Sequence, residues 1–400
     1  MKIVADPNIP FVQEAFGTLG DIVLVPGRQI DAVTVRDADV LLVRSVTPVN
    51  AALLDGSRVR FVATATIGTD HVEDSWLRER GIGFASAAGS NANSVAEFLV
   101  AALLELSHRQ GFRVRDKTIG VVGVGNVGSR VVRYAEVLGM RVWQNDPPRE
   151  RKEMDIGAPD GSSRGFTASG RARPSAFVSL ERVLAEADII TLHVPLTRQG
   201  VDATFHLFDK ERLAALEARR PILINTARGA VIDNKALLKA VDGERVRGTV
   251  LDVWENEPNI SPELLDVVDI GTPHIAGYSF DGKVNGTQMI HEAVCGLFGI
   301  ARTWQPLLPP PEVPRIELSV SSGDDDEDVL RRVVRRVYDV TADDAALRKA
   351  VRATEGIGSS FDTLRATYPV RREFFNTELV LRGASEELRK KFAALGFKLI

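Results

Sequence analysis

Short runs of consecutive apolar, β-branched residues alternate with helical patterns through the first three hundred positions of the chain. Lys2–Ala5, Ile22–Val25, Val40–Val43, Phe61–Ala65 and Ile82–Ala85 read as strands, with amphipathic stretches such as Phe11–Leu19 and Glu73–Arg80 between them. A second series follows: Thr118–Val122, Arg141–Gln144, Ile189–His193, Ile222–Asn225, Thr249–Val253 and Val268–Ile270. Strands that are apolar throughout, rather than alternating, are covered on both faces, which predicts α/β architecture with doubly wound parallel sheets. Ser94 and Glu97 have the S-x-x-E spacing of a capping box, so a long helix is predicted to start at Ser94 and continue through Leu106. Two consecutive units of this kind predict two Rossmann-like lobes, with ligands in the cleft between them.

The pattern fails over Pro147–Phe177, which holds Gly157, Gly161, Gly165 and Gly170 and several arginines. A stretch that long without periodicity is uncommon in a compact domain, and it reads as a surface insertion, with an active-site lid as the alternative. Pro306, Pro309, Pro310, Pro311 and Pro314 mark a stiff linker. Beyond it a small α+β domain is predicted: strand Ile316–Val320, a helix near Val329–Val337, strand Leu379–Leu381 and helix Glu386–Leu395. The acidic run Asp324–Asp328 reads as the solvated first turn of the first of these helices, where carboxylates favour the dipole. The predicted organisation is therefore a substrate-binding lobe from 1–94 and 276–304, a nucleotide-binding domain from 95–275, a linker from 305–314 and a C-terminal domain from 315–400.

Composition narrows the function classes. With 50 basic and 54 acidic residues the net charge is −4, and no basic footprint for nucleic acid is implied. At 44% hydrophobic and 26% charged, the chain is too apolar for disorder. No window approaches 18 uninterrupted apolar residues, and MKIVADPNIP is broken at Asp6 and Pro7 before a signal-peptide core. The single Cys295 offers neither an internal disulfide nor a metal cluster. A cytoplasmic protein with no membrane and no metal partner is the expectation.

The strongest local signal is Thr118-Ile-Gly-Val-Val-Gly123-Val-Gly125-Asn126-Val127-Gly128, a G-x-G-x-x-G turn after a strand and before a helix closed by Gly139. Such glycines allow a tight turn, close approach of backbone to a pyrophosphate, and helix–strand packing. Asp146 ends the next strand at the distance expected of an acid that binds ribose hydroxyls, and it would repel a 2′-phosphate. NAD is therefore favoured over NADP, with Arg149 the only nearby compensating charge.

Three polar residues follow strands of the second series: Arg228 in Asn225-Thr-Ala-Arg-Gly229, Glu257 in Asp252-Val-Trp-Glu-Asn-Glu-Pro258, and His274 in Thr272-Pro-His-Ile-Ala-Gly-Tyr278. Ligands of open α/β sheets bind at the carboxyl ends of strands. Oxidising a 2-hydroxy acid needs a base near neutral pH, for which histidine is suited. It also calls for a carboxylate to hold that imidazole, and a bidentate cation for the substrate carboxylate.

These motifs resemble the D-isomer-specific 2-hydroxyacid dehydrogenases over about residues 1–300. The resemblance assigns catalysis to Arg228, Glu257 and His274, with His274 as acid/base. A subgroup that oxidises a phosphorylated four-carbon acid is resembled over nearly the whole chain. That likeness rests on Val43-Arg-Ser45-Val-Thr47, Ala63–His71, Gly271–Ser279, Val337–Val340 and Asp343–Lys349. It implies that Ser45, Thr66 and Tyr278 contact substrate, that Gly123, Gly125, Asn126, Val127, Gly128, Asp146, Thr226, Ala227, Arg228, Asp252 and Gly277 line the NAD site, and that the C-terminal domain forms a homodimer. Arg44 has two readings, a phosphate partner or a solvated loop residue, while His71 reads as a structural hydrogen-bonding group. After strand Ile189–His193, Val194-Pro195 stands where relatives often carry a hydroxyl, which leaves only a backbone contact there. The alternatives are another 2-hydroxy acid such as 3-phosphoglycerate, or a non-catalytic NAD-sensing co-regulator.

Overall fold

The computed structural model describes residues 1–156, 177–353 and 356–400, with backbone alone at 154–156. The chain divides into two compact units, Met1–Ser94 with Tyr278–Pro310, and Val95–Gly277 with Pro311–Ile400.

The first unit is a five-stranded parallel sheet of β1 (Lys2–Ala5), β2 (Asp21–Leu24), β3 (Val40–Val43), β4 (Phe61–Thr64) and β5 (Gly83–Ser86), in the order β2-β1-β3-β4-β5. Every residue of β3 and β4 is buried, as continuous apolar strands require. One face is closed by the helix Phe280–Phe298, whose Ile290 and Val294 join Ile3, Phe16 and Phe61 in the core. The helix predicted to start at Ser94 instead runs Ala92–Gln110, so Ser94 is not its cap. Its hydroxyl is hydrogen-bonded to that of Ser279, the residue capping Phe280–Phe298, and both are fully buried. Tertiary pairing has taken the side chain that local spacing assigned to capping.

The second unit carries six parallel strands, β6 (Thr118–Val122), β7 (Arg141–Asn145), β8 (Ile189–Leu192), β9 (Ile222–Asn225), β10 (Gly248–Leu251) and β11 (Ile270–Gly271), ordered β11-β10-β9-β8-β6-β7. The strand order reverses at β6, with β7 on one side and β8 on the other, which is the topological switch point where such sheets bind ligands. Helix Asn126–Val137 buries Gly128, Val131, Val132, Tyr134 and Ala135, the stripe expected of a 3.6-residue period. The predicted patternless stretch begins instead with a helix, Pro147–Ile156, capped by Asp146. The rest of that prediction, 157–176, lies outside the described residues.

Residues beyond Pro311 form β12 (Arg315–Ser319), β13 (Glu378–Arg382) and β14 (Lys398–Leu399), paired in parallel, with helices Asp326–Val337, Val340–Ala353, Ile357–Ala366 and Glu386–Ala394. Helices Val340–Ala353 and Ile357–Ala366 were not predicted; their polar faces dilute the apolar signal. Leu347 and Phe361, on these two helices, are fully buried in one cluster with Trp254, Leu264, Leu265 and Val268 of the nucleotide unit. Each such side chain contributes roughly 1.5–3 kcal/mol. The acidic turn is only partly solvated as expected: Asp325 caps the helix, but Glu327 accepts the Val114 N–H at 2.6 Å, and burial raises its carboxyl pKa.

Candidate active site

The turn after β6 is built by glycine geometry. Gly123 has φ of +86°, a region closed to most side chains, and a Cβ there would lie 2.8 Å from the His193 carbonyl. A Cβ on Gly128 would stand 2.0 Å from the Gly123 carbonyl oxygen, so helix Asn126–Val137 packs on the turn only with glycine there. By contrast, nothing lies within 4 Å of where a Cβ on Gly125 would stand, leaving open space at the helix N-terminus. Open space among the described residues, first-turn N–H groups that helix geometry leaves without intrahelical partners and a nearby carboxylate fit a dinucleotide.

Asp146 follows β7 directly. One of its carboxylate oxygens accepts the Val124 N–H at 2.7 Å and the other the Arg149 N–H at 3.0 Å. It therefore both ties the glycine turn to β7 and caps the following helix. The Arg149 guanidinium donates to the Val124 carbonyl at 2.6 Å and to Glu153 at 2.9 Å, so this cation beside Asp146 is already engaged. Thr226 lies 3.3 Å from His193 Nδ1, and His193 Nε2 lies 2.9 Å from Thr191 Oγ1. Burial pushes the His193 pKa down to about 3, keeping the imidazole neutral.

Arg228 projects from a turn knotted by Asn225, which accepts the Ala227 N–H at 3.0 Å and donates to the Arg228 carbonyl at 2.9 Å. Glu257 Oε2 and His274 Nδ1 are 2.7 Å apart, and Glu257 Oε1 accepts the Trp254 N–H at 2.7 Å. Burial by itself would raise the Glu257 pKa. The His274 charge, the two hydrogen bonds and Arg365 outweigh it and hold the carboxyl below its usual range. Arg228, Glu257 and His274 line one cavity of about 440 Å³, together with Leu196, Arg198, Phe205 and Trp254.

His274 sits at φ of +58°, a conformation that costs a non-glycine residue roughly 1–2 kcal/mol. The segment is held in it by Asp252, which the resemblance assigned to the NAD site. Its fully buried carboxylate accepts from Thr272 Oγ1 at 2.7 Å, from the Ile275 N–H at 2.7 Å and from the Ala276 N–H at 3.0 Å. The same burial pushes the Asp252 pKa up.

Ser45, Thr66 and Tyr278 belong to the first unit, where Ser45 follows β3 and Thr66 follows β4. Thr66 Oγ1 lies 2.7 Å from Thr64 Oγ1, which is 3.1 Å from His71 Nε2. His71 is thus a hydrogen-bonding partner of the strand end, and burial lowers its pKa. Sequence reasoning missed Arg198 and Phe205 in the cavity wall, where the guanidinium lies 4.1 Å from the ring centroid. The strand-end rule that found Arg228 applies equally to Val194–Arg198 after β8 and would have flagged Arg198.

Residues 91–276 match the family described as D-isomer specific 2-hydroxyacid dehydrogenase, NAD binding domain, and residues 307–396 match a domain of unknown function (DUF3410). Erythronate-4-phosphate dehydrogenase of Yersinia pestis (strain Pestoides F) is 46% identical over 376 residues, covering 94% of this chain and 93% of its own. The protein of the same name from Yersinia pseudotuberculosis serotype O:1b (strain IP 31758) is equally similar. Among solved structures, the TT0316 protein from Thermus thermophilus is 26% identical with a TM-score of 0.59, covering 76% of this chain and 98% of its own. D-Lactate dehydrogenase from Aquifex aeolicus, complexed with NAD and lactic acid, shares the fold with a TM-score of 0.55 at 24% identity, covering 75% of this chain and 96% of its own. No helix among the described residues is long and apolar enough to cross a membrane. The chain belongs to the D-isomer-specific 2-hydroxyacid dehydrogenase family, within its erythronate-4-phosphate dehydrogenase group, and is an NAD-dependent oxidoreductase acting on a CH–OH group.

Proposed function

We propose that the chain oxidises the C2 hydroxyl of 4-phospho-D-erythronate to 2-oxo-3-hydroxy-4-phosphobutanoate, a step of pyridoxal 5′-phosphate biosynthesis, with NAD⁺ converted to NADH and one proton released. The observation that carries this reading is the His274–Glu257 pair sharing a cavity with Arg228, in a chain 46% identical to proteins named for that activity. Because Glu257 engages Nδ1, that nitrogen carries the proton and Nε2 is left unprotonated. His274 Nε2 takes the proton from the 2-hydroxyl, and Glu257 stabilises the imidazolium that results. Arg228 pairs with the substrate carboxylate and the developing carbonyl oxygen. Ser45, Thr66 and Tyr278 contribute hydroxyls to the polyhydroxylated acid. Gly123, Gly125, Asn126, Val127, Gly128, Asp146, Thr226, Ala227 and Gly277 hold NAD, which supplies the hydride acceptor when bound.

The C-terminal module is proposed to form the homodimer of a cytoplasmic enzyme. Val370 and Phe375, each 50% exposed, and Ile400, 57% exposed, are the apolar groups that support a partner surface there. Sedimentation velocity of the full chain against Phe375→Glu tests it: the wild type sediments as a dimer and the variant dissociates, whereas a wild-type monomer would end the proposal.

The decisive assay for the reaction is single-turnover NADH formation with 4-phospho-D-erythronate, 3-phosphoglycerate and D-lactate. The expected result is preference for the phosphorylated four-carbon acid, abolished by His274→Ala with NADH binding retained. Preference for 3-phosphoglycerate would reassign the substrate, and no NADH from any of the three would point to an NAD-sensing role.

A further inference from the structure

The six residues Gly271–Ala276, which carry His274, are gripped at both ends by the C-terminal module. At the start, Asp344 accepts the Gly271 N–H at 2.7 Å. Asp344 is itself held by Arg348 Nε, 3.0 Å from both of its oxygens, and Arg348 goes on to donate to the carbonyls of Leu265 and, at 2.7 Å, Val268. At the far end, Arg371 Nη2 donates to the Ala276 carbonyl at 2.6 Å. Arg371 is 7% exposed and lies with its guanidinium carbon 4.2 Å from the Tyr338 ring centroid. Tyr338 and Tyr368 both donate to one oxygen of Asp343, at 3.0 and 2.8 Å, completing a part-buried polar cluster around the arginine.

The cost of this arrangement points to its purpose. Glu97 and Asp343 balance the charge of the Arg371 guanidinium, but its Nε and Nη1 find no hydrogen-bond partner among the described residues, and its one hydrogen bond there goes to a carbonyl two residues from His274. An incompletely paired buried cation is expensive and weak evidence for stability. The middle of the segment is held by other groups: the Thr272 N–H by the Leu251 carbonyl, the His274 N–H by the Asp252 carbonyl, and the Ile275 and Ala276 N–H groups by the Asp252 carboxylate. Among the described residues, the hydrogen bonds from beyond 311 reach the segment at its ends.

We propose that the C-terminal module positions His274 for proton transfer: Asp344 and Arg371 fix the two ends of Gly271–Ala276, so that its left-handed residue presents the imidazole to Glu257 and the cavity. This assigns a role at the active site to residues that match a domain of unknown function, and it rests on the reading of His274 as the base. Arg371 is a positioning residue, acting through the backbone at Ala276 and not on substrate.

The test uses the full-length protein and the variants Arg371→Met, Arg371→Lys and Phe392→Leu. Phe392 is fully buried in the same module, packs on Phe397 and makes neither of the two hydrogen bonds at the ends of Gly271–Ala276, so it controls for loss of stability alone. With Arg371→Met, kcat is expected to fall about 10- to 100-fold, the scale of a misplaced catalytic group, with NADH affinity unchanged. Arg371→Lys, which restores a donor, recovers most of it, and Phe392→Leu lowers the melting temperature while keeping kcat. A second readout needs no substrate: the Glu257-bonded Nδ1 proton of His274 gives a low-field signal in ¹⁵N-edited proton NMR, assigned by its loss in His274→Ala. That signal is expected to broaden or vanish in Arg371→Met and persist in Phe392→Leu. Should Arg371→Met fail to fold, Arg371→Gln carries the same readouts in the same direction. Wild-type kcat and an intact signal in the Arg371 variants would overturn the proposal, as would an equal loss of kcat in Phe392→Leu. If no acid is turned over but the signal still depends on Arg371, the functional reading fails while the positioning role stands.

Discussion

Glu257 Oε2 stands 2.7 Å from His274 Nδ1, while the other oxygen of the same carboxylate accepts the Trp254 N–H at the same distance. The backbone bond prevents the carboxylate from rotating away, so one tautomer of His274 is set by a group that is itself fixed. The side chains are part-buried, at 34% exposure for His274 and 21% for Glu257, and water screens the pair only incompletely.

Glu257→Gln keeps the shape and an acceptor but removes the charge. The charge-assisted hydrogen bond to His274 that this removes is worth roughly 1.5–3 kcal/mol, so turnover is expected to fall about 10- to 150-fold. NADH affinity, read by fluorescence titration, stays unchanged. Wild-type turnover in stopped-flow absorbance would show that the carboxylate has no part in the proton transfer.

Arg228→Lys replaces a planar fork by a point charge on a turn set by Asn225. Losing one charge-assisted hydrogen bond costs roughly 1.5–3 kcal/mol, or about 10- to 150-fold in kcat/KM. The loss is expected to include a raised KM for the acid, measured by steady-state kinetics over a range of substrate. An unchanged KM would place the substrate carboxylate elsewhere.

Gly128→Ala drives a methyl group to within 2.0 Å of the Gly123 carbonyl, which backbone must relieve. Overpacking of this kind costs about 1–3 kcal/mol. Calorimetry should show a lowered melting temperature, and NADH should bind more weakly if the displaced turn holds pyrophosphate as proposed. Native stability together with native NADH affinity would mean the helix shifts without disturbing the turn.

His193 gives stability a pH dependence. Burial lowers its pKa to about 3 in the folded chain, against roughly 6.5 in the unfolded one, so between those values the unfolded state binds the extra proton. Above about pH 6.5 this group contributes nothing to the slope; as pH falls toward 3, stability is lost by up to about 1.4 kcal/mol per pH unit. Urea unfolding at pH 7, 5.5 and 4.5 should show a shallower acid loss in His193→Gln than in the wild type. Equal slopes would assign the acid sensitivity to other groups.

How much was legible depended on the range of the interactions. The eleven strands of the two sheets were readable from their short apolar runs, which are unbroken in central strands such as β3, β4 and β8 because these are buried throughout, and the ends of the eleven shifted by only a few residues. The glycine turn and the places of Asp146, Arg228, Glu257 and His274 just beyond strands were readable because backbone sterics and strand ends act within a few residues. Ser94 was misread for the complementary reason: its S-x-x-E spacing is local, but its partner Ser279 lies 185 residues away. The helix Pro147–Ile156 was hidden by glycines and arginines that follow it, although its cap, Asp146, was already singled out for another task.

By itself, then, the sequence determined the α/β class, the dinucleotide turn and the residue types available for hydroxy-acid chemistry, since period, φ angle and side-chain pKa are properties of short segments. Only the tertiary structure decided what those groups touch. It turned Asp252 onto the His274 segment, closed the Glu257–His274 bond across 17 positions, and brought Asp344 and Arg371 to the ends of Gly271–Ala276 across 73 and 95 positions. No local pattern encodes such contacts, because each is made by burial of a core that brings distant segments together, and the polar groups trapped there take whichever partners the packing supplies.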